Sequence, residues 1–257
     1  MIVPGLVSVT FRQKSMGEIC EICRTAGLSA VEWGGDVHVP PENIAAAGEA
    51  RRLSREYGLE ICSYGSYWRA GDGRDAFLRN LEAAEELGAP VIRVWWGRTG
   101  SAETAEVVRR EWMEEMRVAC REAEKVELQV APEFHPGTLT DTPGSLERLL
   151  RETADIPNLR YYWQPRWDWP EETRLETLDE LLPRLARMHV FTWRHGPQVE
   201  RLPLAEGADF WKKVLQKAPD TYALMEFVRE DDQRALMEDA AALRRWIGEE
   251  VWNLPTC

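Results

Sequence analysis

The feature that most constrains the fold of this chain is a regular alternation between short apolar runs and longer segments of helical period. Eight runs of four to eight residues, rich in Val, Ile, Tyr and Trp, recur along the 257 residues. They lie at 3–10, 29–33, 59–63, 90–95, 127–133, 159–164, 187–193 and 221–227. Segments between and after them have helical periodicity, as in 74–87, 102–124 and 231–248. Strands that alternate with helices in this way indicate βαβ units and a parallel sheet.

Eight such units in a chain of this length predict a closed (β/α)₈ barrel, an α/β fold, as a single TIM-barrel domain over residues 1–257. A doubly wound open sheet is the alternative. Its G-x-G-x-x-G turn after the first strand is absent from the sequence, which favours the barrel. Because the active site of such a barrel lies at the carboxyl ends of the strands, the polar residues at those ends carry the functional prediction.

Composition narrows the range of partners. The net charge is −12, and the acids are spread through the helical segments, which argues against nucleic acid or an anionic membrane as partner. No apolar stretch approaches the ~18 residues of a membrane span, and the N-terminus has no signal-peptide pattern. Five scattered cysteines fit buried thiols in a reducing compartment, including a Cys20/Cys23 pair on a predicted helix. We therefore expect a cytoplasmic protein with a small-molecule ligand, and homo-oligomerisation stays open.

Four neighbouring strand ends carry candidate ligands of a metal ion. Glu133 ends the fifth strand and Gln164 the sixth, while His189 lies in the seventh and Glu226 ends the eighth. Two carboxylates, an amide oxygen and an imidazole suit one divalent ion such as Mn²⁺, Co²⁺, Zn²⁺ or Mg²⁺. The cation would offset the cost of bringing two acids together in a partly dry pocket. Each residue alone also fits a structural role, such as a carboxylate paired with an arginine, so the prediction depends on their convergence.

The remaining strand ends predict a substrate pocket. All four histidines lie at or just beyond a strand end, and eight of the twelve tryptophans lie at strand ends or in the following loops. Aromatic faces suit the apolar faces of sugar rings, although strand alternation allows only about half of these tryptophans to point inward. The residues predicted to contact substrate are His135, His38, Trp33, Tyr64, Arg93 and Trp95.

Several stretches resemble a known family along essentially the whole chain. They are AVEWGGDVHVP, LGAPVIRVWWG, APEFHPGTLTDT, MHVFTW, LPLAEGADFWKKVL and ALMEFV. Together they are similar to the xylose-isomerase-like barrel superfamily, in its sugar isomerase and epimerase branch. In that family a Glu, an Asp, a His and a second Glu hold one divalent metal, which the resemblance carries over onto Glu133, His189 and Glu226. Gln164 stands at the Asp position, so the site has one negative charge fewer. Arg194 is the nearest match to the family's substrate-gripping arginine.

The resemblance implies a metal-dependent sugar isomerase or epimerase. Such an enzyme removes a proton next to a carbonyl through an enediolate, with Glu133 and Glu226 as the two bases. A metal-dependent dehydratase or lyase acting on a keto-sugar or keto-glycoside is the alternative, because the same proton abstraction initiates elimination. A non-catalytic sugar-binding barrel is a third reading. Only Arg201 lies near the position expected for a phosphate, which favours an unphosphorylated sugar.

Overall fold

The computed structural model describes residues 1–218 and 220–248, and its strands follow the predicted rhythm. In chain order the strands are β1 (Val3–Val7), β2 (Ala30–Gly34), β3 (Glu60–Arg69), β4 (Val91–Trp95), β5 (Gln129–Pro132), β6 (Tyr161–Trp163), β7 (Leu185–Val190), β8 (Thr192–Arg194), β9 (Glu200–Leu202) and β10 (Tyr222–Met225). Eight of them form one parallel sheet in the order β5-β4-β3-β2-β1-β10-β7-β6.

The two ends of this sheet meet. Parallel bridges join Val130 to Leu159 and Glu133 to Tyr162, which brings β5 beside β6. The backbone N–H of Val130 donates to the carbonyl of Asn158 at 3.0 Å, and that of Phe134 to the carbonyl of Tyr162 at 3.0 Å. The predicted α/β barrel is confirmed, and the carboxyl ends of its strands face one common rim.

Eight α-helices surround the barrel in the part of the chain that the structure describes. They are α1 (Met16–Ala26), α2 (Ile44–Glu56), α3 (Arg74–Leu87), α4 (Glu106–Glu124), α5 (Pro143–Glu152), α6 (Glu171–Leu181), α7 (Ala208–Lys217) and α8 (Gln233–Trp246). The first shows why the boundaries fall where they do. Ser15 and Glu18 form a reciprocal capping box at its start, and Gly27 ends it in a left-handed conformation with φ 68°. Its apolar face, which includes Cys20 and Cys23, packs into the core.

Two apolar runs are divided differently from the prediction. The first strand ends at Val7, because residues Ser8–Phe11 form a buried 3-10 turn. The seventh run splits after Val190, and β8 pairs with β9 as an antiparallel hairpin that includes the Trp193–Arg201 pair. The run 187–193 contains no glycine or proline, so the sequence gives no sign of this break.

Four cysteines, Cys20, Cys23, Cys62 and Cys120, are buried and free, as expected of core thiols, while Cys257 lies outside the described residues. Within residues 1–218 and 220–248, no helix is both long and apolar enough to span a bilayer.

Candidate metal centre and active site

A cavity of about 330 Å³ opens at the carboxyl-end rim of the barrel. Its aromatic wall consists of Tyr67, Trp95, Trp167, Phe191, Trp193 and Phe227. Glu133, Gln164 and Glu226 also line it, so three of the four predicted metal ligands share one cavity. Its volume lies at the lower end of the range of about 300–1,000 Å³ that is usual for small-molecule sites.

His189 brings the two predicted catalytic carboxylates together. Its Nδ1 atom lies 3.2 Å from Glu133 Oε1 and 3.4 Å from Glu226 Oε2. The imidazole is fully buried, whereas Glu133 and Glu226 keep 3% and 5% of their surface exposed toward the cavity. Backbone pairing fixes both carboxylates at the rim, because the N–H of Glu133 donates to Val94 and that of Glu226 to Val190. The predicted convergence is therefore present.

The two carboxylates differ in their hydrogen bonding. Glu133 Oε2 accepts a bond from Arg93 Nη1 at 2.6 Å and another from Trp95 Nε1 at 2.7 Å. Within the described part of the chain, no hydrogen bond reaches the Glu226 carboxylate, and His189 is its only charged partner within salt-bridge distance. One carboxylate is thus firmly held as an anion, and the other is open to the cavity.

The pKa values follow this difference. Burial opposes ionisation of Glu133, but the charge of Arg93 and the bond from His189 outweigh burial and hold its pKa well below the usual range. Burial raises the pKa of Glu226 to about 7, and the positive charge of His189 only partly offsets that effect. Burial alone would lower the pKa of His189, but the negative charge of Glu226, the bond to Glu133 and the nearby carboxylate of Glu32, 3.6 Å from Nε2, raise it to about 10. The cluster therefore holds a positively charged imidazole between acids.

A third buried acid, Glu32, lies behind Glu133 and His189. It lies on β2, and its Oε1 accepts a bond from Arg93 Nε at 3.0 Å. Its Oε2 accepts bonds from Ser63 at 2.8 Å and Tyr162 at 2.7 Å. The charge of Arg93 outweighs burial and lowers the pKa of Glu32 to about 2. Gly65 leaves room for this pair, since a Cβ atom there would lie only 2.7 Å from Glu32 Oε1.

The donor set fits a divalent cation. One ligand atom from each of Glu133, His189 and Glu226 lies within 4.8 Å of the other two, and all three residues are buried. The Glu226 carboxylate accepts no hydrogen bond from a described residue, so its oxygens are open to an ion in the cavity. Gln164 uses its Nε2 to donate to the carbonyl of Phe134 at 3.2 Å, which leaves its amide oxygen free as a further ligand. Binding would displace the proton of His189, because only a neutral imidazole ligates a metal.

The predicted substrate contacts fall into two groups. His135, Arg93 and Trp95 line the cavity, although Arg93 is committed to Glu32 and Glu133. The others lie away from it. Trp33 Nε1 donates to Ser54 at 3.0 Å, the Tyr64 hydroxyl donates to Val39 at 2.9 Å, and His38 is held by Ser8 and Lys14. Arg194 is exposed on the β8–β9 hairpin, where it pairs with Glu200 and Glu206.

The tryptophans divide in a similar proportion. Of the eight at strand ends and loops, Trp95, Trp167 and Trp193 line the cavity. The remaining five pack into or against the hydrophobic core: Trp33, Trp68, Trp96, Trp163 and Trp169.

Three functional residues were not predicted as site residues. Glu32 had a signal, since an acid inside the apolar strand AVEWG needs a buried partner. Tyr162 had none, because a tyrosine in a strand usually reads as core. Arg69 lines the cavity at the end of β3, which runs six residues beyond the predicted run 59–63.

Comparisons with known proteins agree with this architecture. A sequence model of the family described as xylose isomerase-like TIM barrel matches residues 20–246. A 3-dehydroshikimate dehydratase from Bacillus anthracis is 24% identical to this chain in an alignment that covers 84% of this chain and 87% of that protein. The crystal structure of a probable 3-DHS dehydratase involved in petrobactin synthesis, from the same organism, matches with a TM-score of 0.80 and 21% identity over 95% of this chain and 98% of that one. That of 3-keto-D-glucoside 4-epimerase from E. coli matches with a TM-score of 0.70 and 17% identity, over 95% of this chain and 99% of that one.

Proposed function

Since this chain belongs to the xylose isomerase-like TIM barrel family, we propose that it is a divalent-metal-dependent dehydratase. It removes a proton next to the carbonyl of a small polyhydroxylated ketone, of the keto-sugar class, and eliminates water from the neighbouring carbon. The observation that carries this proposal is the unequal hydrogen bonding of the two carboxylates. Elimination needs one mobile base, whereas inversion of a carbon needs a base on each face.

Glu226 is the base. Its carboxylate faces the cavity without a hydrogen bond from any described residue, so it is free to accept a proton from carbon. Glu133 is a poor second base, because Arg93 and Trp95 both donate to its Oε2 and hold it in one orientation. The 3-dehydroshikimate dehydratase that is 24% identical to this chain supports a dehydratase over an epimerase.

The residues that would hold the ion are Glu133, His189 and Glu226, with the amide oxygen of Gln164 as the fourth candidate. The bound cation would polarise the ketone and acidify the neighbouring C–H.

The proton balance then involves two side chains. The C–H bond breaks and its proton passes to a Glu226 oxygen, while the electron pair forms the C=C bond and the C–O bond of the next carbon breaks. The leaving hydroxyl takes a proton from Nε2 of His135 in its imidazolium form and departs as water, which leaves the neutral imidazole with its hydrogen on Nδ1. Glu226 then releases its proton to solvent and His135 takes one up, so the turnover releases water with no net change in protons. His135 Nδ1 donates to the carbonyl of Pro136 at 2.6 Å, which leaves Nε2 as the nitrogen available to the cavity.

The test is hydrogen exchange in D₂O, with Mn²⁺ or Mg²⁺ added, on a panel of ketoses and polyhydroxylated cyclic ketones. We expect loss of water and growth of an enone absorbance with the wild-type protein. In Glu226→Gln the rate should fall at least about 100-fold, as is usual when a general base is removed. The matched control is Glu56→Gln, an exposed acid on α2 that pairs with Arg52, and it should keep the wild-type rate. Absence of both exchange and dehydration on the whole panel, or full activity of Glu226→Gln, would overturn the proposal.

A sugar epimerase is the second candidate function. The observation that favours it is that two carboxylates, Glu133 and Glu226, reach the same imidazole nitrogen at 3.2 and 3.4 Å. The same experiment separates the two functions, because an epimerase incorporates deuterium with inversion and loses no water. In that case Glu133→Gln and Glu226→Gln should each abolish inversion.

A further inference from the structure

The arginines that line the cavity differ in whether they pair with an acid. Four arginines line it: Arg12, Arg69, Arg93 and Arg166. Three of them have acid partners. Arg12 pairs with Asp36 at 2.6 Å, Arg166 pairs with Asp168 at 2.7 Å, and Arg93 is shared between Glu32 and Glu133.

Arg69 is different. Its guanidinium stacks over the Trp95 ring at 4.0 Å, and its Nη1 makes one long bond of 3.5 Å to the carbonyl of Gly97. Nearby Asp72 is otherwise engaged, since its Oδ2 accepts the backbone N–H of Arg69 at 2.9 Å and its Oδ1 binds Arg98. In residues 1–218 and 220–248, no carboxylate lies within 4.0 Å of the Arg69 guanidinium.

Hydration alone is a costly way to satisfy this charge. Arg69 is half-buried, and burial together with the like charges of Arg98 and Arg93 outweighs the favourable charges of Asp72 and Glu133, so the pKa of its guanidinium is lowered. An anion in the cavity would offset both the loss of hydration on burial and the repulsion from the neighbouring arginines. The guanidinium presents a planar fork of donors that matches the two oxygens of a carboxylate.

We infer that Arg69 binds a carboxylate of the substrate, so that the ligand of this site is a small hydroxylated keto acid rather than a neutral sugar. The inference rests on the proposed function for the identity of the reacting centre. Trp95 connects the proposed anion site to the metal centre. The Arg69 guanidinium stacks on the face of the Trp95 ring, and the Nε1 atom of Trp95 donates a hydrogen bond to Glu133.

The charge of the cavity favours a carboxylate over a phosphate ester. Among the described residues that line the cavity, one guanidinium lacks an acid partner, so the side chains offer one unpaired positive charge, which matches a monoanionic carboxylate better than a dianion. The volume agrees with a small ligand, since about 330 Å³ accommodates roughly a dozen non-hydrogen atoms at the volume that liquid water occupies.

The test is binding of three probes to the full-length protein, with Mg²⁺ present throughout, measured by ligand-observed NMR. The probes are cyclohexanecarboxylate, its neutral analogue cyclohexanecarboxamide, and inorganic phosphate. The variants are Arg69→Met, which keeps an aliphatic stem against Trp95, Arg69→Lys, which keeps the charge without the fork, and the exposed control Arg52→Met. Any carboxylate contact with the metal is common to all variants, so the comparison isolates Arg69.

We expect the wild type to bind the carboxylate at least tenfold more tightly than the amide. Arg69→Met should lose that preference, Arg69→Lys should keep part of it, and Arg52→Met should match the wild type. Equal carboxylate affinity in wild type and Arg69→Met, or phosphate binding that exceeds carboxylate binding and depends on Arg69, would overturn the inference. The outcome is independent of turnover. Carboxylate binding that depends on Arg69, without hydrogen exchange or dehydration, would overturn the proposed dehydratase and support the anion site. Dehydration without Arg69-dependent carboxylate binding would support the dehydratase and overturn the anion site.

Discussion

At the scale of single residues, Arg93 neutralises two buried acids inside the barrel. It is the shared cation of Glu32 and Glu133, and all three side chains are buried. Replacement by Met would leave two buried carboxylates without their cation, and removal of one partner of a buried pair usually costs about 3–5 kcal/mol. We therefore expect Arg93→Met to lower the free energy of unfolding by that amount in urea titrations.

Arg52→Met is the control for this measurement. Arg52 makes an exposed i,i+4 pair with Glu56 on α2, where a lost ion pair should change stability by no more than about 0.5 kcal/mol. An Arg93→Met protein as stable as wild type would mean that Glu32 and Glu133 do not depend on this guanidinium.

Residue identity at the strand ends predicted the centre of the site but not its surroundings. Glu133, His189 and Glu226 could be placed together because parallel strands bring their carboxyl ends to one rim. The direction of a side chain beyond that rim depends on how each loop turns. His38 therefore lies against Ser8 and Lys14 instead of in the cavity, although it follows a strand as His135 does. The pairing of Glu32 with Arg93 spans 61 positions, which no local pattern reveals.

At the scale of elements, α8 is joined to the turn before α7 by one buried carboxylate. Asp239 on α8 accepts the backbone N–H of Leu204 at 2.8 Å, and burial raises its pKa to about 6. An acid whose pKa is higher in the folded protein keeps its proton there after the unfolded chain has released it. This group therefore makes the folded state progressively less stable as the pH rises from about 4 to about 6.

Asp239→Asn removes the titration and keeps an oxygen that can accept the bond from Leu204. Its stability should be close to that of the wild type at pH 4 and exceed it above pH 7, by at most about 1.4 kcal/mol for each unit of pKa shift. Urea unfolding of both proteins across that range is the measurement. Asp75→Asn, which removes an exposed acid at the start of α3, is the control for the loss of a surface charge. A constant difference between Asp239→Asn and wild type would contradict the assignment.

At the scale of the whole molecule, the alternation of apolar runs with segments of helical period was sufficient to predict the fold. The eight apolar runs correspond to the eight parallel strands, and the match of residues 20–246 confirms the resemblance to xylose-isomerase-like barrels. The β8–β9 hairpin at the rim escaped prediction, because its pairing depends on a chain reversal through exposed residues and not on burial. The core of a barrel is thus readable from periodicity, whereas the loops that shape the cavity are not.

Metal binding should be visible as a property of the whole molecule, since a ligand that binds only the folded state stabilises it. At 100 times its dissociation constant, a single bound ion adds about 2.7 kcal/mol to the free energy of unfolding. The chain has 44 acidic residues, so weak binding to the surface must be separated from the site. We expect Mn²⁺, Co²⁺, Zn²⁺ or Mg²⁺ to raise the melting temperature of the wild type and of Glu56→Gln, with about one equivalent retained by mass spectrometry. Glu226→Gln should lose both effects, because it removes a buried ligand and the negative charge with it. An equal rise in Glu226→Gln would place the cation on the acidic surface, and Glu133, His189 and Glu226 would then be a charge network that needs no metal.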